Sequence, residues 1–252
     1  MSATHVPPLA TAPHTGGPAL LLVAHGSRDP RHSAVLRRLA DGVRSLTGLT
    51  TGIGFLEFDR PGAAEALGDR VAAGVGQVVV VPLLLSRAYH ATTDLPSALA
   101  GDWGVPVRTT GVLGGSPLLV AALERRLYEA GAGPADRGAT GVVVAATGSR
   151  DAAARASVAE VAGALRRAGW CDALPAYITG PGRRPGAAVE ELRARGARRV
   201  AVAPYVLAPG LLPDRIAAEA VTAGADVLAA PLGAAPELVR LVAERGRGAL
   251  RG

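Results

Sequence analysis

The chain of 252 residues has no lysine, one cysteine and no long hydrophobic run. The single cysteine, Cys171, excludes an internal disulfide and a metal site built from several cysteines, and it agrees with a reducing compartment. No apolar run reaches the roughly 18 residues that a membrane span needs, and the first residues lack the basic start and apolar stretch of a signal peptide. We therefore expect a cytoplasmic protein without a membrane segment.

The absence of lysine makes all 27 basic residues arginine, against 21 acidic residues, which gives a net charge of +6. The planar fork of arginine matches carboxylates and phosphates, so these residues indicate an anionic partner. Aromatic residues, which would stack on bases, make up only 3% of the chain, and the arginines are scattered. We do not expect nucleic acid to be that partner.

What is present is an alternation of short apolar runs with longer amphipathic stretches, which is typical of βα units that feed a buried parallel sheet. We predict strands at 19–24, 51–56, 77–85, 105–110, 140–146, 174–179, 199–207 and 225–229. We predict helices at 32–46, 62–74, 92–100, 117–131, 152–168, 186–195, 212–223 and 235–246. Residues 131–140, "GAGPADRGAT", have the composition of a linker.

The sequence "HGSRD" at 25–29 returns as "TGSRD" at 147–151, a shift of 122 residues. The same shift aligns two further pairs of segments, Pro82 with Pro204 and 55–57 with 177–179. Three matches at one shift indicate a duplicated architecture. We predict an α/β protein with two similar lobes, 18–132 and 139–252, each a roughly four-stranded parallel sheet flanked by helices, after a flexible tail at 1–17.

Three candidate metal ligands follow successive apolar runs of the first half: His25, Glu57 and His90, which are 32 and 33 residues apart. One strand-helix-strand unit has about this length, and the carboxyl ends of parallel strands meet at one edge of the sheet. Two imidazoles and a carboxylate suit iron(II), cobalt(II) or nickel(II), and the same groups accept protons near neutral pH. At the shift of 122 they become Thr147, Thr179 and Leu212.

The second half therefore keeps the residues "GSRD" of the motif but has none of the three candidate ligands. In the shared "GSRD", glycine permits a tight exit from the strand, Ser and Asp can cap the next helix, and arginine can face an anion. We expect one active edge, in the first half, and one inactive edge, in the second.

The segments "LLVAHGSRDPRH", "GFLEFDRPG" and "VVVVPLLLSRAYHATTDLPSAL" together resemble the sirohydrochlorin chelatases, the cobalt- or iron-inserting CbiX and SirB group of class II chelatases. The resemblance extends from about residue 18 to 250. It implies two chelatase-like lobes with a tetrapyrrole in the cleft between them, and metal insertion without ATP or an organic cofactor. It also implies that His25 and His90 handle the metal and the pyrrole protons while Glu57 assists.

Sirohydrochlorin carries many carboxylates around its rim, so we expect arginines at predicted strand exits to orient it. The expected ring-binding residues are Ser27, Arg28, Ser86, Arg87, Tyr89 and Arg150. The metal substrate is expected to be Co²⁺ or Fe²⁺, with Ni²⁺ accepted by the same ligands. We expect a monomer, because the second half can play the part that a partner subunit plays in shorter relatives.

Two other functions fit parts of the pattern. A non-catalytic carrier of metal or tetrapyrrole would use the same ligands and the same cleft. A phosphoryl-transfer enzyme with a histidine nucleophile is disfavoured, because histidine phosphatases place an arginine directly before that histidine and Ala24 stands there.

Overall fold

The computed structural model describes residues 16–86 and 93–251. This part of the chain forms two four-stranded parallel sheets, with the strand orders β2-β1-β3-β4 and β6-β5-β7-β8. The first sheet consists of β1 (Gly16–Ala24), β2 (Thr50–Phe55), β3 (Val75–Pro82) and β4 (Val107–Thr109). The second consists of β5 (Thr140–Ala146), β6 (Asp172–Tyr177), β7 (Arg199–Pro204) and β8 (Val227–Leu228). The predicted fold class is confirmed.

Helices flank both sheets. They are α1 (Pro30–Thr47), α2 (Ala63–Ala72), α3 (Leu95–Ala98), α4 (Pro117–Glu129), α5 (Ala152–Arg167), α6 (Pro185–Ala194), α7 (Leu211–Thr222) and α8 (Pro236–Arg251). A 3₁₀ helix, Pro134–Ala139, connects the halves within the predicted linker. The bounds differ most from prediction at α3, which is shorter, and at α8, which continues to Arg251.

The predicted tail and lobe limits do not coincide with the strand limits. The first strand begins at Gly16, inside the predicted tail of 1–17, and the amide of Gly16 donates to the carbonyl of Gly74 over 3.2 Å. Residues 1–15 lie outside the described part of the chain. The lobe limits 18–132 and 139–252 stay a prediction.

Both copies of "GSRD" form the same turn from strand to helix. The glycines, Gly26 and Gly148, have φ angles of 97° and 99°, which side chains rarely adopt. The aspartates, Asp29 and Asp151, cap α1 and α5 by accepting from an amide two residues later. The shared letters of the motif therefore shape the turn, as the sequence predicts.

The backbone hydrogen bonds repeat at the same shift of 122 residues. The amide of Glu57 donates to the carbonyl of His25 over 2.8 Å, and that of Thr179 donates to the carbonyl of Thr147 over 2.9 Å. These bonds join the exit of each central strand to the exit of its neighbour. The internal repeat is thus a repeat of backbone geometry as well as of sequence.

Side chains of the strands alternate between a shared core and an outer core. In β1, Leu20 and Leu22 face a central core to which both halves contribute, whereas Leu21 and Val23 face an outer core covered by α2 and α3. The second sheet has its own outer core under α6 and α7. A strand buried on both faces needs apolar residues at every position, which explains the continuous run in β1.

The last helix of the second half packs on the first half. In α8, Gly246 lies so close to Leu20 of β1 that a Cβ atom there would be 2.8 Å from a leucine methyl group. Val239 packs against Gly42 of α1, and the guanidinium of Arg247 donates to the carbonyl of Leu46 over 2.9 Å.

The last helix of the first half packs reciprocally on the second half. In α4, the guanidinium of Arg126 donates to the carbonyl of Leu232 over 2.8 Å. The carboxylate of Glu124 in the same helix accepts from the indole of Trp170 over 3.1 Å. The two halves have therefore exchanged their last helices, and this exchange joins them through the central core.

Within residues 16–86 and 93–251, no helix is both long enough and apolar enough to cross a lipid bilayer.

Candidate active site

A cleft of about 750 Å³ lies between the two halves, where the carboxyl ends of their central strands meet. Ligands of open α/β sheets bind at such strand ends. The wall includes His25, Ser27 and Ser86 from the first half and Thr147, Arg150 and Leu212 from the second. The predicted active and inactive edges therefore face the same cavity.

The first candidate ligand, His25, lies directly after β1 in the cleft wall and is partly exposed. Its backbone is held by the hydrogen bond from Glu57, and its ring makes an edge-to-face contact with Phe58, with centroids 5.9 Å apart. Because the turn at Gly26 is tight, the backbone of His25 is held at the end of the sheet. His25 is well placed to meet a molecule in the cleft.

The second candidate, Glu57, is joined to His25 by the hydrogen bond from its amide to the carbonyl of His25, and its side chain is exposed. Across the described residues, no three His, Cys, Asp or Glu side chains form a group that could hold a metal ion. The predicted set includes His90, which lies outside those residues together with Arg87 and Tyr89. The three-ligand site stays a prediction.

Three predicted ring-binding residues lie in the cleft wall or beside it. Ser27 lies in the wall, and its amide donates to the carboxylate of Asp59 over 3.0 Å. Arg150 is exposed along the opposite wall, in the second half. Arg28 is exposed beside the cleft, with its guanidinium 5.3 Å from the ring centre of Phe58. Arginines of both halves thus lie at or beside the cavity.

The candidates chosen from the sequence omit His32, which lies in the cleft wall on the first turn of α1. Its side chain is 17% exposed, and its Nδ1 is 3.9 Å from the carboxylate of Asp59. Burial holds the pKa of His32 below its ordinary value, the Asp59 carboxylate opposes this, and His25 adds to the lowering. The internal repeat offered a sign that His32 and Asp59 belong to the site of the first half, because Ala154 and Pro181 replace them at the shift of 122.

The lowered pKa of His32 predicts a loss of stability in mild acid. Below about pH 6.5, the unfolded chain takes up a proton at this position before the folded chain does, so protonation favours unfolding. The free energy of unfolding should therefore fall between pH 7 and pH 5, and His32→Gln should make that fall shallower. Urea denaturation across this pH range measures both slopes. Parallel curves for the two proteins would contradict the assignment.

A second residue of the cleft wall that was not predicted from the sequence is Tyr205, which follows β7. Its side chain is 4% exposed, and its hydroxyl has no hydrogen-bond partner within the described part of the chain. Burial raises the pKa of this phenol well above its ordinary value, so it stays protonated at neutral pH. The first half has Leu83 at the equivalent position.

One ion pair joins the two halves beside the cleft. The guanidinium of Arg31, at the start of α1, contacts the carboxylate of Asp214, at the start of α7, over 2.5 Å, and it also pairs with Asp29. All three side chains are partly or largely exposed, so each pair contributes little to stability.

Comparison with known families and proteins gives a consistent result. The family model described as CbiX matches residues 19–130 and 141–249. A sirohydrochlorin cobaltochelatase of Methanothermobacter thermautotrophicus is 35% identical over 85 residues, which are 34% of this chain and 59% of that protein. One from Saccharolobus islandicus is 39% identical over 83 residues, 33% of this chain and 64% of that protein. The chain thus spans less than two thirds of the length of these relatives.

Solved structures share the fold over nearly the whole chain. A structure described as SirB from Bacillus subtilis with Fe³⁺ has a TM-score of 0.80 at 24% identity, and the match covers 92% of this chain and 94% of that one. A structure described as CbiX, the terminal enzyme for biosynthesis of siroheme in denitrifying bacteria, has a TM-score of 0.69 at 23% identity, with 92% and 99% covered. At these identities the likeness concerns the fold.

Proposed function

We propose that this chain, which belongs to the CbiX family, inserts Co²⁺ or Fe²⁺ into sirohydrochlorin or a related tetrapyrrole without ATP. The observation that carries the proposal is the position of His25 in the wall of a cleft between two similar halves. Only the half that contributes His25 carries a histidine in the shared motif. The cleft volume also lies in the range of small-molecule sites.

Metal insertion exchanges one dication for two protons. Two pyrrole N–H bonds break, the metal bonds to the ring nitrogens, and the two protons pass to bases of the protein. In our proposal, His25 and His90 first hold the ion and then accept these protons, since neutral imidazole can do either. The carboxylate of Glu57 lowers the energetic cost of holding a dication near the ring.

Arginines would orient the substrate through its rim carboxylates. Arg150 in the cleft wall and Arg28 beside it are candidates from opposite halves, and Arg87 is a third. Ser27, Ser86 and Tyr89 would add polar contacts. The choice among cobalt, iron and nickel, the absence of an organic cofactor, the monomeric state and the cytoplasmic location remain predictions.

The test is to mix the purified protein with sirohydrochlorin and Co²⁺ or Fe²⁺, without ATP, and to follow the visible spectrum. We expect insertion well above the spontaneous rate and over many equivalents of substrate. A reaction that stops after one equivalent would instead indicate a carrier. No acceleration with either metal would refute the chelatase function.

A further inference from the structure

The residue after Glu57 is Phe58, a large apolar side chain that is 56% exposed. Single exposed apolar residues are common on proteins, so exposure alone indicates nothing. Its backbone makes Phe58 unusual. In the described part of the chain it is the one residue other than glycine with a positive φ, at 63°.

The positive φ belongs to a tight three-residue turn around Phe58. The amide of Asp59 donates to the carbonyl of Glu57 over 2.7 Å, and a γ-turn with a positive central φ is the strained form of that turn. For a bulky side chain this conformation is a clear outlier, which persists only where the surrounding structure enforces it. The chain therefore keeps phenylalanine here at an energetic cost.

The second half shows that the fold does not need this side chain. At the shift of 122 residues, Gly180 takes the place of Phe58 and has nearly the same φ, 71°. Glycine adopts that conformation without strain. Pro181, which follows, has no amide hydrogen to donate, so the second half makes this bend even without the hydrogen bond of the γ-turn. The half with the histidine thus carries a strained aromatic residue where the other half carries a relaxed glycine.

The ring of Phe58 contacts two residues already placed in the proposed site. Its centroid is 5.9 Å from that of His25, with the ring planes at 76°, and the guanidinium of Arg28 lies 5.3 Å from its centre. The exposed ring thus lies against His25, which is a residue of the cleft wall. An apolar ring and a cation at one place match a flat aromatic molecule that carries carboxylates.

We propose that Phe58 is a substrate-binding residue, whose ring packs against the planar macrocycle beside His25 while Arg28 pairs with a rim carboxylate. This inference rests on the proposed function and adds a residue to it. It also accounts for the strain, since the side chain that costs stability is the one that meets the ligand.

The test measures binding of metal-free sirohydrochlorin by visible titration, together with the thermal midpoint of unfolding. Phe58→Gly introduces the residue that the second half has at this position, Gly180. We therefore expect the variant to fold with a thermal midpoint equal to that of the parent protein or higher by a few degrees. We expect its dissociation constant to rise about tenfold, as for the loss of a stacking contact. Phe58→Tyr should bind within about threefold of the parent.

Phe58→Leu is the matched control, because it keeps the strained backbone and the apolar bulk and removes only the ring. It should bind nearly as weakly as Phe58→Gly, and binding equal to the parent would refute an aromatic contact. If the parent binds and Phe58→Gly binds equally well, this inference alone fails. If the parent binds no tetrapyrrole, the proposed function fails and the inference falls with it. A large drop in the thermal midpoint of Phe58→Gly would show a structural role and overturn the proposal.

Discussion

Replacing His25 with alanine is expected to lower the rate of metal insertion at least about 100-fold, the usual effect of removing a general base. In the proposed mechanism this imidazole both holds the ion and takes a pyrrole proton, so its loss affects two steps. His90→Ala should have an effect of similar size. The visible assay with sirohydrochlorin and Co²⁺ measures each rate directly.

Thr147→Ala is the matched control, because Thr147 occupies the same position in the second half and faces the same cleft. We expect its rate to stay within about threefold of the parent, since it carries no base or ligand for the reaction. Thermal midpoints of both variants should stay near that of the parent. If Thr147→Ala were as damaging as His25→Ala, the assignment of the chemistry to one edge would be wrong.

The fold and the repeat could be predicted from the sequence because both leave local patterns. Fully buried parallel strands need continuous apolar runs, and a strand exit needs glycine at a positive φ, so Gly26 and Gly148 mark equivalent turns. The exchange of α4 and α8 leaves no such pattern. Periodicity shows which face of a helix is apolar, but it does not show which sheet that face covers.

The candidate site could be predicted only where residue type and position agree with a known chemistry. His25 follows a strand and can bind a metal, so it met both conditions. His32 lies in the first turn of a helix, Tyr205 is a phenol among apolar neighbours, and the strain at Phe58 lies in a backbone angle. None of the three is repeated in the other half, where Ala154, Leu83 and Gly180 stand at the equivalent positions.

The exchange of helices predicts a large effect from one substitution far from the cleft. Gly246 of α8 is buried against Leu20, whose side chain is fully buried in the first half, so Gly246→Leu inserts a side chain where no space exists. Such overpacking costs about 1–3 kcal/mol of unfolding free energy, or a thermal midpoint lower by about 2–12 °C. Thermal unfolding measures the cost, and amide hydrogen exchange should show the loss of protection in β1.

Gly248→Leu is the control, because Gly248 lies two residues further along α8 and a Cβ atom added there would have no neighbour within 4 Å. Both substitutions replace glycine with leucine, a better helix former, so this gain cancels in the comparison. Gly248→Leu should therefore raise the thermal midpoint slightly while Gly246→Leu lowers it. A loss of protection confined to β5 and β6 in Gly246→Leu would mean that α8 supports its own half. Protection lost in β1 would mean that residues from the end of the chain hold the strand that presents His25.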